Sequence, residues 1–191
     1  MNKLIILIAV IIIAGIGWFV WEKPQVSAPS TQAASPLNAT YIIDGNRITF
    51  VNGESEIEIS FDSATKITTS IFGDPVYGDL NKDGKNEAAV FIAQNPGGSG
   101  TFYYAAAALN ENGGYVGTNA IHLGDRIAPQ NINLISETRP SDSHYGMIVV
   151  NYADRKPGEP MTAQPSVGVS KYLTIENGKL VENQQAQQPM K

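Results

Sequence analysis

Short runs of strand-forming residues, separated by turn residues, fill most of the chain, and this pattern limits the folds that it can adopt. Asp-Gly at residues 44–45 and Asn-Gly at residues 52–53 and 177–178 stand between such runs. These pairs supply the left-handed backbone conformations that tight hairpins require. Since no stretch shows a convincing helical period, we predict a mainly β fold over residues 38–182, a single antiparallel sandwich- or barrel-like domain, with α+β as the alternative.

Three segments of this region differ in their patterning. Residues 55–61 (SEIEISF) alternate apolar and polar side chains, which is typical of a half-buried strand. Residues 88–94 (AAVFIAQ) form an apolar run of strand length. Residues 101–109 (TFYYAAAAL) are ambiguous, because four alanines favour a helix whereas the aromatic start favours a strand. We predict a strand there, because a Gly-rich hairpin-like loop follows.

The N-terminal segment is uniformly apolar. Residues 4–21 (LIILIAVIIIAGIGWFVW) carry no charge, and a helix of that length spans about 27 Å, close to the hydrocarbon thickness of a bilayer. Trp18 and Trp21 suit the far interface, and Lys3 weakly favours a cytoplasmic N-terminus. We predict a transmembrane anchor over residues 1–21, with the rest of the chain in the periplasm or at the cell surface. A cleavable signal peptide, which would leave a secreted protein, is the alternative.

Polar segments flank the predicted domain. Residues 22–37 contain three prolines among Ser, Ala, Gln and Thr, and residues 183–191 are rich in Gln. Neither segment has the apolar side chains needed to pack against a core, so we predict a disordered linker and a disordered tail.

Composition excludes several classes of function. The chain has a net charge of −5, and an acidic domain gains nothing from the counterion release that drives nucleic-acid binding. We therefore expect no nucleic-acid partner. The chain contains no cysteine, which excludes disulfides, thiolate metal sites and a cysteine nucleophile.

A regular array of oxygen-bearing residues stands before the apolar strand at residues 88–94. In the stretch GDLNKDGKNEAAVF, positions 1, 3, 5, 6, 7 and 9 of the loop are Asp79, Asn81, Asp83, Gly84, Lys85 and Glu87. Carboxylate, amide and backbone carbonyl oxygens are the hard ligands that calcium prefers, and the glycine permits a sharp bend. We predict a structural calcium site formed by Asp79, Asn81, Asp83, the carbonyl of Lys85, and Glu87. An Asn/Asp/Gly turn without metal is the alternative.

The acidic loop resembles a known calcium motif. Its spacing, Asp-x-Asn-x-Asp-Gly-x-x-Glu leading into an apolar strand, resembles the calcium loops of FG-GAP repeats in integrin-type β-propellers. It is not an EF-hand, because the glutamate of that motif is replaced here by Val90. The motif occurs once, so the resemblance implies a calcium loop and not a propeller.

A wider stretch, residues 75–182, resembles a recurring group of uncharacterised bacterial exported proteins that are membrane-anchored or lipid-modified. The resemblance lies in NPGGSGTFYY (residues 95–104), LGDRI (residues 123–127), GEPM (residues 158–161) and the final strand pair. Those relatives carry a cysteine after the Pro-Met pair, whereas Thr162 follows here. The resemblance implies an exported single domain and brings no activity with it.

No catalytic constellation stands out. His122 and His144 each lack a second histidine at ligand spacing, and Asp125 and Arg126, adjacent on a predicted strand, are expected to point to opposite faces. We predict a membrane-tethered binding or envelope-associated module, with tyrosines that could line a groove for a protein or glycan partner. The alternatives are an exported hydrolase with a dispersed Asp/Glu/Tyr site, or a protein-interaction or inhibitor module that presents residues 153–165.

Overall fold

The computed structural model describes residues 34–58, 65–135 and 145–183. The predicted anchor, the linker up to residue 33 and the tail after Asn183 lie outside the described residues. Strand residues make up 64% of the structure, so the predicted mainly β fold with antiparallel sheets is confirmed. The described part of the chain contains one short 3-10 helix, Pro36–Asn38, and no helix there is long and apolar enough to cross a bilayer.

Twelve strands lie within the described residues. In chain order they are β1 (Thr40–Ile43), β2 (Asn46–Thr49), β3 (Glu54–Glu58), β4 (Lys66–Gly78), β5 (Glu87–Asn95), β6 (Phe102–Glu111), β7 (Gly114–Gly117), β8 (Ile121–Asp125), β9 (Ala128–Ile135), β10 (Met147–Asp154), β11 (Val167–Glu176) and β12 (Lys179–Glu182). They form three antiparallel sheets. The hairpin β1-β2 stands alone, β12-β11-β10-β9 form a four-stranded sheet, and β3-β4-β5-β6 form a larger sheet in which β7 and β8 both pair with the far edge of β6.

Asp44-Gly45 and Asn177-Gly178 close hairpins, as the sequence predicts, whereas Asn52-Gly53 forms a turn spanned by a single bridge between Val51 and Glu54. At the turn between β11 and β12, Asn177 and Gly178 have φ angles of 52° and 75°. Left-handed conformations at both central residues give the backbone twist that matches a two-residue hairpin. The turn between β1 and β2, at residues 44–45, has the same combination.

The apolar runs form β5 and β6, which are buried on both faces. Even-numbered core residues of the two strands pack against the β1-β2 hairpin, and odd-numbered ones pack against the four-stranded sheet. A strand covered on both sides reads as a continuous apolar run rather than an alternating one. The four alanines at residues 105–108 are therefore a strand, as predicted, because small side chains facing both ways let the neighbouring layers approach.

The hairpin layer is fixed by two aromatic side chains. Tyr41 and Phe50 are 0% and 1% exposed and meet edge to face, with ring centroids 5.4 Å apart. Tyr41 also donates its hydroxyl hydrogen to the carbonyl of Pro36 at 2.9 Å, which ties down the end of the predicted linker. Burying a large side chain of this kind contributes roughly 2–3 kcal/mol.

The three layers meet where the far edge of β6 changes from β7 to β8. Thr118 exchanges hydrogen bonds with the backbone of Ala107 and accepts the N–H of Ile42 from the hairpin. The next residue, Asn119, binds Leu180 of the four-stranded sheet through both its amide nitrogen and its amide oxygen. Two consecutive residues, Thr118 through its backbone carbonyl and hydroxyl and Asn119 through its side-chain amide, thereby connect all three sheets.

Two local expectations are wrong. Ile57 of β3 is 43% exposed, so the described part of residues 55–61 is an edge strand with charged flanks and not a half-buried one. Asp125 and Arg126 do not diverge, because Arg126 has a φ of 50° just after β8 ends. That left-handed turn brings the Arg126 Nη2 within 2.9 Å of the Asp125 Oδ2. The adjacent guanidinium is the main reason that the pKa of Asp125 lies below its ordinary value.

The close contact between the hairpin and the larger sheet leads to a testable prediction. A Cβ at Gly117 would lie 2.5 Å from the Thr40 carbonyl oxygen and 2.7 Å from the Tyr41 ring. Gly117→Ala should therefore displace the hairpin from the larger sheet and lower the free energy of unfolding by about 1–3 kcal/mol. Urea unfolding of the full chain, followed by circular dichroism, measures the change.

The matched control is Gly98→Ala, because a Cβ at Gly98 meets nothing within 4 Å. This variant should unfold within about 1 kcal/mol of the wild type. Equal stability of the two variants would show that the hairpin does not pack as closely as described.

Candidate metal centre

The acidic loop joins β4 to β5, and its two ends are held together by strand pairing. Gly78 and Glu87 are directly opposite each other in the ladder between these strands. Between them, Leu80 is 3% exposed and belongs to the core that lies against the four-stranded sheet. Strand pairing and this buried side chain therefore anchor the loop close to the entry of β5.

Within the loop, backbone N–H groups point towards acidic side chains. Asp83 donates its N–H to Asp79 Oδ1 at 3.1 Å and to Asn81 Oδ1 at 3.0 Å, and Gly84 donates to Asp79 Oδ2 at 3.3 Å. Lys85 donates to Asp83 Oδ1 at 2.8 Å. This last bond is the main reason that the pKa of Asp83 lies below its ordinary value of 3.8. These hydrogen bonds fix the orientation of the Asp79 and Asp83 carboxylates within the loop.

Three carboxylates converge at the acidic loop. Asp79, Asp83 and Glu87 each offer an oxygen, and these oxygens all lie within 4.8 Å of one another. Asp83 is exposed, Asp79 is half-buried and Glu87 is fully buried. The ammonium of Lys85 lies 3.6 Å from Asp83, but both side chains are more than a third exposed, so this pair offsets little of the repulsion.

Glu87 is the most constrained member of the cluster. Its side chain is 0% exposed, and its Oε2 accepts the N–H groups of Leu80 at 2.9 Å and Asn81 at 3.4 Å. Its Oε1 is buried and has no hydrogen-bond partner among the described residues. An unsatisfied buried polar atom costs about 1–3 kcal/mol, and more when it carries charge. The oxygen needs a partner, and a cation held by the neighbouring carboxylates would supply one.

The loop also contacts the turn that leads into β10. Tyr145 donates its hydroxyl hydrogen to Asp79 Oδ2 at 3.2 Å, and desolvation followed by this contact raises the pKa of Tyr145. Gly146 lies so close to Leu80 that a Cβ would stand 2.7 Å from the Leu80 carbonyl oxygen. The acidic loop of the larger sheet is therefore packed directly against the four-stranded sheet.

The structure treats the predicted ligands differently. It brings the carboxylates of Asp79, Asp83 and Glu87 together. Asn81 is exposed and uses its amide oxygen to accept the Asp83 N–H, while the side chain of Lys85 lies beside Asp83. Sequence reasoning missed Tyr145, because nothing in the chain marks a residue 66 positions away as a neighbour of Asp79.

The other candidates from the sequence do not form a second cluster. His122 belongs to no group of three metal-ligating side chains among the described residues, and His144 lies outside them. The loop at residues 155–166 is held by Arg155, whose guanidinium donates to the carbonyls of Ala163, Asp125 and Arg126. These hydrogen bonds show that Arg155 fixes the path of the loop. The two alternative functions, an exported hydrolase and a protein-interaction module, stay predictions.

Comparisons with protein-family models, with curated proteins and with solved structures found no match for this chain. The resemblance of the acidic loop to FG-GAP calcium loops, and that of residues 75–182 to exported bacterial proteins, therefore stay predictions.

Proposed function

We propose that the chain is a membrane-tethered, extracytoplasmic binding or envelope-associated module of a bacterium, whose β-sandwich domain is braced by one structural calcium ion. The observation that supports the calcium site is the Glu87 Oε1, which is buried beside two further carboxylates and has no hydrogen-bond partner in the part of the chain that the structure describes. A cation bound there satisfies that oxygen and removes the mutual repulsion of the three charges.

The chemistry of the cluster favours calcium. Calcium takes six to eight oxygen ligands at about 2.3–2.6 Å, so oxygens on one ion lie at most about 5 Å apart. The carboxylate oxygens of Asp79, Asp83 and Glu87 fall within that spread. Asn81 and the carbonyl of Lys85 are the remaining ligands that we propose, and water completes the shell on the exposed side.

The role that we propose for the ion is structural. Leu80 and Tyr145 link the loop to the four-stranded sheet, and Glu87 begins the most buried strand of the larger sheet. An ion between them therefore stiffens the contact between two layers. One member of the cluster, Asp83, is exposed, which suits the weak affinities, about 10⁻⁴–10⁻³ M, of extracellular calcium modules.

The location outside the cytoplasm rests on residues 4–21, whose eighteen apolar residues are long enough to span a bilayer.

Prediction for calcium. Unfolding of the full chain, in a nonionic detergent, should be measured with about 10 mM calcium and with chelator. Calcium at ten to a hundred times its dissociation constant should raise the free energy of unfolding by about 1.5–3 kcal/mol. Terbium in place of calcium should luminesce on tyrosine excitation, because the Tyr145 hydroxyl lies 3.2 Å from Asp79, and Tyr145→Phe should weaken the emission.

Glu87→Gln gives the sharper test, because its effect should depend on the metal. In chelator the variant loses a buried charge and should be at least as stable as the wild type. In calcium it should gain little, so the wild type becomes the more stable protein. Glu111→Gln, at an exposed position at the end of β6, is the control and should respond to calcium as the wild type does. An equal calcium response in the wild type and Glu87→Gln, or none in either, would remove the metal site.

Prediction for the anchor. Alkaline phosphatase fused after Lys191 and expressed in a bacterium is active only outside the cytoplasm. We expect activity in a membrane fraction that resists carbonate extraction, and loss of activity when residues 1–21 are deleted. An inactive fusion contradicts the topology, and an active but released one supports the signal-peptide alternative.

A further inference from the structure

A separate cleft opens where the tip of the β1-β2 hairpin meets the β6-β8 pair. Its volume is about 360 Å³, and it is lined by Asp44, Gln94, Pro96, Phe102, Tyr104 and His122. None of these residues belongs to the acidic loop.

The carboxylate in this cleft is held in place. Asp44 occupies the left-handed turn between β1 and β2, with a φ of 49°, and its Oδ2 accepts the hydroxyl hydrogen of Tyr104 at 2.7 Å. Tyr104 is 2% exposed, and burial together with this hydrogen bond raises its pKa, so it stays a donor at neutral pH. No hydrogen bond or ion pair within the described residues occupies the Asp44 Oδ1. The cleft therefore contains a negative charge with a fixed direction and a free acceptor.

Gln94 adds an acceptor to the cleft rather than positive charge. Gln94 donates its amide nitrogen to Thr69 Oγ1 at 3.2 Å, and its amide oxygen has no partner in the described part of the chain. Among the described residues, no lysine or arginine lines the cleft. An anionic ligand would therefore meet an unfavourable potential here, whereas a donor with positive charge would meet two acceptors.

Aromatic rings form the rest of the wall. The ring of His122 lies 5.2 Å from that of Tyr104 and 6.1 Å from that of Phe102. Aromatic faces attract an ammonium or guanidinium group within about 6 Å. Pro96 and Phe102 also offer apolar surface against which a carbon chain can pack.

We propose that this cleft binds an organic cation, a primary ammonium or guanidinium group carried on an apolar stem. The charged group donates to Asp44 and to the amide oxygen of Gln94, and the stem packs against Phe102. This chemistry occurs both in the lysine or arginine side chains of a polypeptide and in free diamines. The inference rests on the binding role proposed above and gives that role a ligand class, without using any residue of the calcium loop.

The test is a titration of the full chain in a polyoxyethylene detergent, which carries neither charge nor sugar. The readout is the NMR signal of the His122 ring, assigned by its loss in His122→Gln. N-acetyl-lysine methylamide stands for a side chain of a polypeptide and 1,5-diaminopentane for a free amine, and the norleucine analogue is the neutral control. We expect the better of the two amines to shift the signal with a dissociation constant on the order of 1 mM, and the neutral analogue to leave the signal in place.

Asp44→Asn keeps an acceptor for Tyr104 but removes the charge, and it should weaken amine binding about tenfold or more. Asp74→Asn, at an exposed position in β4, is the matched control and should bind as the wild type does. If Asp44→Asn fails to fold, Phe102→Leu leaves the carboxylate in place and should weaken binding about threefold by removing one ring.

Three results would overturn the proposal. They are no shift with either amine up to tens of millimolar, an equal shift with the norleucine analogue, and unchanged affinity in Asp44→Asn. Each titration is repeated in calcium and in chelator. If the protein binds an amine but its stability does not respond to calcium, the calcium site is contradicted and the cleft is supported. If its stability responds to calcium but it binds neither amine, the cleft is contradicted and the calcium site is supported.

Discussion

A carboxylate fixed at the start of a strand that is buried on both faces is the constraint on which the acidic loop depends. Glu87 is 0% exposed, and the strand that it begins, β5, is covered by the hairpin on one side and by the four-stranded sheet on the other. The backbone of Leu80 and Asn81 satisfies one of its oxygens and so sets the path of the loop. The other oxygen has no such partner among the described residues, and Asp79 and Asp83 converge beside it in a cluster that could hold a cation.

The two proposed sites share one scaffold but use different parts of it. The acidic loop lies between the larger sheet and the four-stranded sheet, whereas the cleft around Asp44 and Tyr104 lies between the larger sheet and the hairpin. Both depend on side chains that packing holds rigid, namely Glu87 in the loop and Tyr104 in the cleft. Residues 118–120 join the layers on which both groups stand, through hydrogen bonds to the hairpin and to the four-stranded sheet.

Local signals in the sequence predicted local features well, and contacts between layers could not be predicted. The turn at Asn177 and Gly178 needs left-handed backbone at two positions, so its residue types alone indicate a hairpin. The convergence of Asp79, Asp83 and Glu87 could likewise be predicted from their spacing, because all three lie within nine consecutive residues. In contrast, nothing local says that Tyr145 meets Asp79 or that Asn119 meets Leu180. The exposure of Ile57 could not be predicted for the same reason: an alternating pattern does not reveal whether a second layer covers the apolar face of a strand.

The most direct measurement is diffraction from crystals of the full chain grown with calcium, collected at a wavelength at which calcium scatters anomalously. The proposal predicts one anomalous peak at about 2.3–2.6 Å from oxygens of Asp79, Asp83 and Glu87, with Glu87 Oε1, which has no hydrogen-bond partner among the described residues, as one of its ligands. The proposal is contradicted if well-ordered density shows the loop as described here, no anomalous peak, and a water molecule or a protein donor bound to the Glu87 Oε1.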